Sequence, residues 1–322
     1  MSSTCSASTK EITLEIPSLV RVYNDGTVER LQGSPFVAST LEDPTTGVSS
    51  KDVVISNNPP ISARMYLPNK NVLNHNKVPI LVYFHGGAFF FESAFSEQHQ
   101  NYVNMLVSVT RVIVVSVEYR LAPETPLPAA YDDCWDALKW VANKSDTWLL
   151  KHGDFNRVFI GGDSAGANIV HNVGMRVGVE VLPRGVKVFG AIVSHPYFFG
   201  SKPIGCEAVC GHEESVAYRI WEFVCPNGPG GLDNPLINPL GSEAASLDGL
   251  GCSKLLVCTA QRDMLRERAV SYYEAVKKSR WQGEAELFEV ESEQHVFHVH
   301  NPHTVNAHKM LQRFADFLLR YN

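Results

Sequence analysis

The sequence contains no basic run and no block of like charges. Its 28 lysines and arginines are scattered among 34 aspartates and glutamates, for a formal net charge of −6. Nucleic-acid binding needs a concentrated positive surface, so this composition argues against a nucleic-acid partner. Nor does any stretch reach the roughly 18 consecutive apolar residues of a membrane-spanning helix, so no membrane partner is expected.

Cysteine is also sparse. The seven cysteines are odd in number, and no two have the C-x-x-C spacing of a redox or zinc motif. This pattern favours free thiols in a reducing compartment over a disulfide framework or a structural zinc site. Residues 1–12 are rich in serine and threonine and lack the apolar core of a signal peptide, so we expect a cytoplasmic location.

The hydrophobic pattern indicates an α/β fold. Residues 80–84 and 112–117 are continuous apolar runs, typical of strands buried on both faces of a parallel sheet. Helix and strand patterns then alternate to the C-terminus, which predicts a mostly parallel central sheet flanked by helices. Asn24-Asp25-Gly26 predicts a hairpin that follows a frayed segment over residues 1–17, and residues 52–56 and 62–67 predict an antiparallel edge pair.

One stretch interrupts the alternation. Residues 197–250 are rich in glycine and proline, with one helical piece around Glu214–Val224. We interpret this insertion, together with residues 1–50, as a cap over the strand ends of a single domain that spans residues 1–322. The alternative is a plain surface excursion, but the aromatic content, including Tyr197 and Trp221, favours a pocket lining.

The strand pattern that ends near Ser164 turns at once into a helical pattern. Gly162-Asp163-Ser164-Ala165-Gly166 matches G-x-S-x-G, in which a serine at the tip of a sharp strand-to-helix turn is a nucleophile. Glycines suit such a turn because neighbouring backbone passes close by. The motif by itself is common, and an ordinary glycine-rich turn with a solvated serine is the alternative.

His85-Gly86-Gly87-Ala88 follows the first apolar strand. Acyl transfer places negative charge on a carbonyl oxygen, and fixed backbone N–H groups stabilise that charge. We therefore predict an oxyanion hole from the amides of Gly86, Gly87 and Ala165. A plain turn after a strand is the alternative interpretation of the two glycines.

A serine nucleophile needs an imidazole base and an acid that orients it, in the chain order Ser, Asp or Glu, His. Asp263 follows an apolar strand, whereas Asp248 precedes that strand and Glu267 lies within the next helix. We predict Asp263 as the acid, with a helix cap as its alternative role. His295 is the predicted base and His298 its rival. No metal or cofactor is expected, because no carboxylate or thiol stands at a ligand spacing from the histidines.

These motifs together resemble the plant carboxylesterase family, within the hormone-sensitive-lipase-like α/β-hydrolases. The resemblance extends from about Leu19 to the C-terminus. It implies Ser164 as nucleophile, Asp263 as acid and His295 as base. It departs at Ala88, where a third glycine is common, and this side chain is expected to shape the substrate pocket. The motifs that carry the resemblance are His85-Gly-Gly-Ala88, Tyr119-Arg-Leu-Ala-Pro-Glu124, Gly162-Asp-Ser-Ala-Gly-Ala-Asn168 and His295-Val-Phe-His298.

The resembling family has members that do not hydrolyse esters. Gibberellin receptors lack the base histidine that this sequence keeps, so a pure small-molecule binder is the least favoured reading. The 2-hydroxyisoflavanone dehydratases are similar over residues 200–205, 211–215 and 229–235, but they typically carry threonine at the nucleophile, and serine here favours hydrolysis. Alkaloid cyclases share the scaffold.

The sequence therefore predicts a carboxylesterase for small apolar or aromatic esters. A dehydratase or cyclase acting on a hydroxylated aromatic or terpenoid substrate is the alternative. The protein is expected to be a monomer or a homodimer. The side chains predicted to bind substrate are Ala88, Phe89, Phe90, Tyr197 and Trp221.

Overall fold

A computed structural model describes residues 10–70, 73, 77–207 and 211–320. Cys5, Cys210 and residues 1–9 of the expected cap segment lie outside these ranges. The strands are β1 Ile12–Ile16, β2 Val20–Tyr23, β3 Val28–Arg30, β4 Ser49–Asn57, β5 Pro60–Leu67, β6 Val78–Phe84, β7 Ile113–Glu118, β8 Gly153–Asp163, β9 Val188–Ser194, β10 Lys254–Ala260 and β11 Glu284–Val290. The helices are α1 Glu97–Thr110, α2 Ala129–Ala142, α3 Thr147–His152, α4 Ala165–Val177, α5 Val216–Val224, α6 Arg266–Lys278, α7 Phe297–His300 and α8 Val305–Leu319.

Eight strands form one sheet in the order β11-β10-β9-β8-β6-β7-β5-β4. The six strands from β11 to β7 run parallel to their neighbours, whereas β5 pairs antiparallel with β7 and with β4. Every residue of β6 is buried, as expected for a central strand covered on both faces. The predicted α/β architecture and its antiparallel edge pair are confirmed.

Helices cover both faces of the sheet and give the protein two apolar cores. On one face, α2, α4 and α6 contribute buried side chains such as Trp135, Ile169 and Tyr272. On the other, α1 and α8 contribute side chains such as Leu106 and Phe314. With both faces shielded, the carboxyl ends of the parallel strands meet at one edge, where loops can carry reactive groups.

A strand and a helix are among the elements that differ from the sequence-based expectations. Residues 12–16, expected to be frayed, form β1, because the hairpin of β2 and β3 offers an edge that β1 pairs with in antiparallel fashion. Helix α1 has no counterpart in the predicted pattern. Its buried face includes His99, Gln100 and Asn104 beside the apolar residues, and these polar side chains interrupt the apolar period that would reveal it.

The N-terminal hairpin and the insertion contact each other and the loops that follow the sheet strands. Arg219 of α5 donates a hydrogen bond to the Glu15 carbonyl, which joins the insertion to β1. The insertion also holds the loop before α2, since the Leu127 N–H donates to the Val224 carbonyl. The single-domain division with two cap segments stays a prediction. Among the described residues, no helix has the length and apolar character needed to cross a bilayer.

Arg30 at the end of β3 attaches the hairpin to the sheet. Its guanidinium donates to the carbonyls of Phe90, at 2.5 Å, and Ala122, at 3.0 Å, and pairs with Glu124 at 2.6 Å. Arg21 in the same hairpin instead pairs with Glu15 on the neighbouring strand.

We expect Arg30→Met to loosen the hairpin, because it removes charged hydrogen bonds to two carbonyls worth about 1.5–3 kcal/mol each. Amide hydrogen exchange across β2 and β3 should become faster, while exchange in β6 and β8 stays unchanged. Arg21→Met is the matched control and should leave the exchange of the hairpin close to that of the unmodified protein. If hydrogen exchange became equally faster in both variants, Arg30 would not be the residue that attaches the hairpin.

Candidate active site

Ser164 lies at a sharp turn between β8 and α4. Its backbone has φ 53° and ψ −114°, an unfavourable conformation for a residue with a side chain, and α4 begins at the next residue. The turn brings the backbone against the end of β6. A Cβ atom added at Gly162 would lie 2.5 Å from the Phe84 carbonyl oxygen, and one added at Gly166 would meet the same atom. The two glycines are therefore required by close packing.

Three strand ends bring Ser164, Asp263 and His295 together. The Ser164 Oγ lies 2.9 Å from His295 Nε2, and His295 Nδ1 lies 2.9 and 3.0 Å from the two carboxylate oxygens of Asp263. These residues follow β8, β10 and β11. They are far apart in the sequence and come together because the three strands belong to one sheet. The arrangement matches that of a nucleophile, a base and an orienting acid.

The alternative acids and the alternative base lie elsewhere. Asp248 pairs with Arg280, and Glu267 pairs with Arg266. His298 is fully buried in α7, and neither of its ring nitrogens has a hydrogen-bond partner among the described residues. Burial holds the pKa of His298 well below its ordinary value, so the ring is uncharged.

The Asp263 carboxylate accepts hydrogen bonds from three N–H groups. Beside His295, the Leu265 amide donates to Oδ1 at 2.9 Å, and His195 Nδ1 lies 2.6 Å from Oδ2. Burial alone would raise the pKa of Asp263, but the charge of His295 and the hydrogen bonds from both histidines outweigh it, and the pKa lies well below its usual range. The group is therefore a carboxylate at any pH near neutrality.

The sequence-based predictions did not include His195. It follows β9 directly, at the same edge of the sheet as the other three residues. A polar residue at the carboxyl end of a strand that neighbours the nucleophile's strand is the signal that could have identified it.

The loop after β6 approaches the serine. The Gly86 N–H donates to Asp163 Oδ1 at 3.2 Å, and Tyr83 donates to the same oxygen at 2.5 Å. Burial raises the pKa of Tyr83 well above its ordinary value, so this hydroxyl keeps its proton. Asp163 therefore ties the loop to the serine turn. This bond corrects the expectation for Gly86, whose amide is already bound, and leaves Gly87 and Ala165 as the candidate oxyanion donors.

Gly87 and Ala165 stay candidate oxyanion donors on two separate observations. Gly87 lines a cavity that also contains Ser164 and His295, and it has φ +101°, a conformation that favours glycine. Ala165 is the first residue of α4, where an N–H has no acceptor within the helix. Both amides therefore stay candidates to bind a ligand oxygen near Ser164.

The cavity has a volume of about 350 Å³ and a largely apolar wall. It receives residues from the N-terminal segment, from the loop after β6, from α5 and from the loops after β10 and β11. The apolar and small residues of the wall are Leu19, Ala88, Phe91, Tyr197, Val216, Ala217, Ile220, Met264, Leu265, Val296 and Val299. Ala88 and Tyr197 thus border the cavity.

Phe89, Phe90 and Trp221 were expected to bind substrate, and the structure corrects this expectation. All three are buried in the interior, outside the cavity wall. Ala88 and Phe89 both have positive φ, so the chain coils and turns the Phe89 and Phe90 rings towards Tyr131 and Phe223. Phe91, one residue on, reaches the cavity instead.

Trp221 follows Ala217 by about one helical turn but does not line the cavity, and its indole N–H donates to the Gly231 carbonyl at 2.8 Å. The residues of α5 that reach the cavity are Val216, Ala217 and Ile220, at helical spacing.

One side of the cavity is polar. Ser96 donates to the Glu92 carboxylate at 2.5 Å, His99 Nδ1 lies 3.3 Å from the same oxygen, and Gln98 contacts His300. Burial alone would raise the pKa of Glu92, but the hydrogen bond and charge of His99 lower it below its usual value. Glu92 is therefore ionised, and this side can accept a hydrogen bond from a hydroxyl group of a ligand.

Within the part of the chain that the structure describes, one group of side chains has the spacing of metal ligands: His195, Asp263 and His295. In each histidine, however, the nitrogen nearest the group donates its proton to the Asp263 carboxylate. A metal would have to displace both protons, so this donor set fits hydrogen bonding between the residues better than metal binding.

A wider groove of about 760 Å³ lies at the opposite ends of β8, β9 and β10. It includes Asn156, Val188 and Ser253, and it contains none of Ser164, His195, Asp263 and His295. The smaller cavity beside Ser164 is therefore the candidate active site.

Comparisons with known proteins agree with this geometry. A family model described as alpha/beta hydrolase fold matches residues 81–299. The chain is 55% identical to a 2-hydroxyisoflavanone dehydratase of Glycyrrhiza echinata, with 99% of each chain covered. It is 42% identical to "Probable carboxylesterase 3" of Arabidopsis thaliana, covering 93% of this chain and 96% of the relative. A solved esterase from the archaeon Pyrobaculum calidifontis superposes with a TM-score of 0.68 at 27% identity, covering 84% of each chain.

The close packing at the serine turn predicts opposite effects for two glycines of α4. Gly166→Ala should destabilise the fold by about 1–3 kcal/mol, because the added methyl group meets the Phe84 carbonyl. Gly174→Ala is the matched control: its Cβ has van der Waals space, 3.7 Å from Leu250, and alanine favours a helix by about 0.5–1 kcal/mol. Urea unfolding measures both. If the Gly166→Ala variant were as stable as the Gly174→Ala variant, close packing against the Phe84 carbonyl would not require glycine at position 166.

Proposed function

Because this chain belongs to the carboxylesterase-like α/β-hydrolases, we propose that it hydrolyses small carboxylic esters through a Ser164–His295–Asp263 triad. The observation that carries the proposal is the unbroken set of contacts from the serine hydroxyl through the imidazole to the carboxylate, at 2.9 Å and 2.9 Å. The enzyme class agrees with the esterase and carboxylesterase relatives.

In the first half of the proposed reaction, the Ser164 oxygen attacks the ester carbonyl while His295 Nε2 takes its proton. The Gly87 and Ala165 amides hold the negative oxygen of the tetrahedral intermediate. The intermediate collapses, and the alcohol leaves with the proton from His295. In the second half, water donates its proton to His295, attacks the acyl group, and releases the acid and Ser164. Asp263 holds the ring in the orientation that both halves require.

The cavity indicates the substrate class. A volume of about 350 Å³ suits a small ester, and the apolar wall favours an apolar or aromatic body. The ionised Glu92 on the polar side favours a ligand that also carries a hydroxyl group away from the ester. The substrate we propose is therefore a small aromatic or apolar ester that tolerates or prefers a hydroxyl substituent.

A second candidate activity is the dehydration of a hydroxylated aromatic compound. The 55% identity to a protein named 2-hydroxyisoflavanone dehydratase favours it, as does the polar side of the cavity. In that reaction His295 would remove a C–H proton as a general base, and the hydroxyl group on the adjacent carbon would leave and take up that proton to form water, with no acyl-enzyme. The cytoplasmic location and the monomeric or homodimeric state stay predictions.

We expect Ser164→Ala to lower kcat for p-nitrophenyl acetate and butyrate by a factor on the order of 10⁴ or more, since the nucleophile is removed. A fluorophosphonate probe should stop turnover of the unmodified protein and label Ser164 in peptide mass spectrometry. Ser108→Ala, on the outer surface of α1, is the control and should retain full turnover and labelling. Undiminished ester turnover by Ser164→Ala would count against the triad.

The same variant separates the two candidate activities. If dehydration is the reaction, Ser164→Ala should retain appreciable turnover of a 2-hydroxyisoflavanone, because the general base is still present. If ester hydrolysis is the reaction, the unmodified protein should turn over the esters and leave the hydroxylated compound unchanged. Product analysis by liquid chromatography distinguishes these outcomes.

A further inference from the structure

Two histidines bind the same carboxylate from different sides. His195 Nδ1 lies 2.6 Å from Asp263 Oδ2, a shorter distance than either contact between Asp263 and His295. Unlike His295, which borders the cavity, His195 is fully buried. A substrate in the cavity therefore contacts His295 and cannot reach His195.

The structure fixes the protonation of His195. Its Nδ1 faces a carboxylate and must carry a proton, whereas Nε2 is buried with no hydrogen-bond partner among the described residues. Burial lowers the pKa of His195 below its ordinary value, although Asp263 opposes this effect. The ionisable groups around the ring are Asp263 after β10, His295 and His298 after β11, and Asp163 at the end of β8. The ring is thus a neutral Nδ1–H donor.

The backbone and the packing hold this ring in place. The His195 N–H donates to the Cys258 carbonyl of β10 at 2.7 Å, and the Ser164 N–H donates to the adjacent Ser194 carbonyl at 3.0 Å. On its flat side the ring stacks on His298, with ring centres 5.3 Å apart. Residues 194 and 195 therefore connect the strand of the acid with the turn of the nucleophile.

We propose that His195 is a positioning residue for the triad: its Nδ1–H holds Asp263 Oδ2, so that the carboxylate keeps its plane towards His295 and shares its negative charge between two imidazoles. This inference rests on the proposed esterase mechanism. A carboxylate with His295 as its only imidazole partner could rotate about its Cβ–Cγ bond. It would also direct more of its charge at His295 and favour the protonated form of that ring.

The test compares His195→Leu with His195→Asn. Leucine fills much of the space without a donor, while the asparagine amide can place an N–H close to the position of Nδ1. For p-nitrophenyl butyrate, His195→Leu should lower kcat by about 10–100-fold with little change in KM, as removal of a supporting hydrogen bond does elsewhere. The acidic limb of its kcat/KM profile should move to higher pH, and His195→Asn should restore most of kcat and the original limb.

His171→Leu is the control for loss of a buried imidazole. His171 donates or accepts one hydrogen bond with Tyr272 and makes no contact with the triad. The His171→Leu variant should have altered thermal stability and an unchanged acidic limb of the kcat/KM profile. If His195→Leu and His195→Asn lose the same activity and neither moves the limb, His195 only fills space and the proposal is wrong. It is also wrong if His195→Leu keeps the kcat and the limb of the unmodified protein.

A second measurement needs no turnover. In protein with ¹⁵N-labelled histidine, proton NMR should show two downfield Nδ1–H resonances, from His195 and His295, and His195→Leu should lose one of them. If the unmodified protein hydrolyses no ester but this NMR pattern holds, the proposed function fails while the role of His195 in orienting the carboxylate stands. One downfield resonance in the unmodified protein would exclude the shared carboxylate.

Discussion

The strand that ends at Asp163 changes into a helix within one residue, and much of the surrounding structure accommodates that turn. Ser164 has φ 53°, and the backbone beside it comes so close that the Phe84 carbonyl leaves no room for a Cβ at Gly162 or Gly166. In return, the turn exposes the serine hydroxyl at the cavity and leaves the first N–H of α4 without an intrahelical acceptor. The strained conformation and the reactive position are two consequences of the same packing.

The second constraint is the buried charge of Asp263. An isolated carboxylate in this interior would be costly, and the protein satisfies it with N–H donors from Leu265, His195 and His295. Of the two imidazole donors, His295 faces the cavity and His195 does not. The charge is thereby stable in the folded protein and still able to stabilise a positive charge that forms on His295 during the proposed reaction.

The N-terminal segment and the insertion have a different role, since they supply shape instead of charge. Leu19 of the N-terminal segment and Ile220 of α5 face the serine across a cavity, and Arg30 and Arg219 attach these segments to the sheet and to each other. Relatives with different names share this scaffold over nearly their whole length. Side chains that border the cavity, among them Glu92 on its polar side, are therefore where differences in substrate would arise.

The sequence by itself determined the sheet and the serine turn, and it predicted Asp263 and His295 as the partners of Ser164, because each depends on local signals. Continuous apolar runs mark buried parallel strands, G-x-S-x-G marks the turn, and residues after strand ends converge at one edge. Only the tertiary structure decided which amides and rings face the cavity. Gly86 and Gly87 are adjacent in the sequence, yet only the Gly86 amide donates a hydrogen bond to Asp163. Phe90 and Phe91 are adjacent, but positive φ angles at Ala88 and Phe89 turn only Phe91 outwards. His195 could not be paired with Asp263 from sequence, because the two residues are 68 positions apart and meet only where β9 and β10 lie side by side.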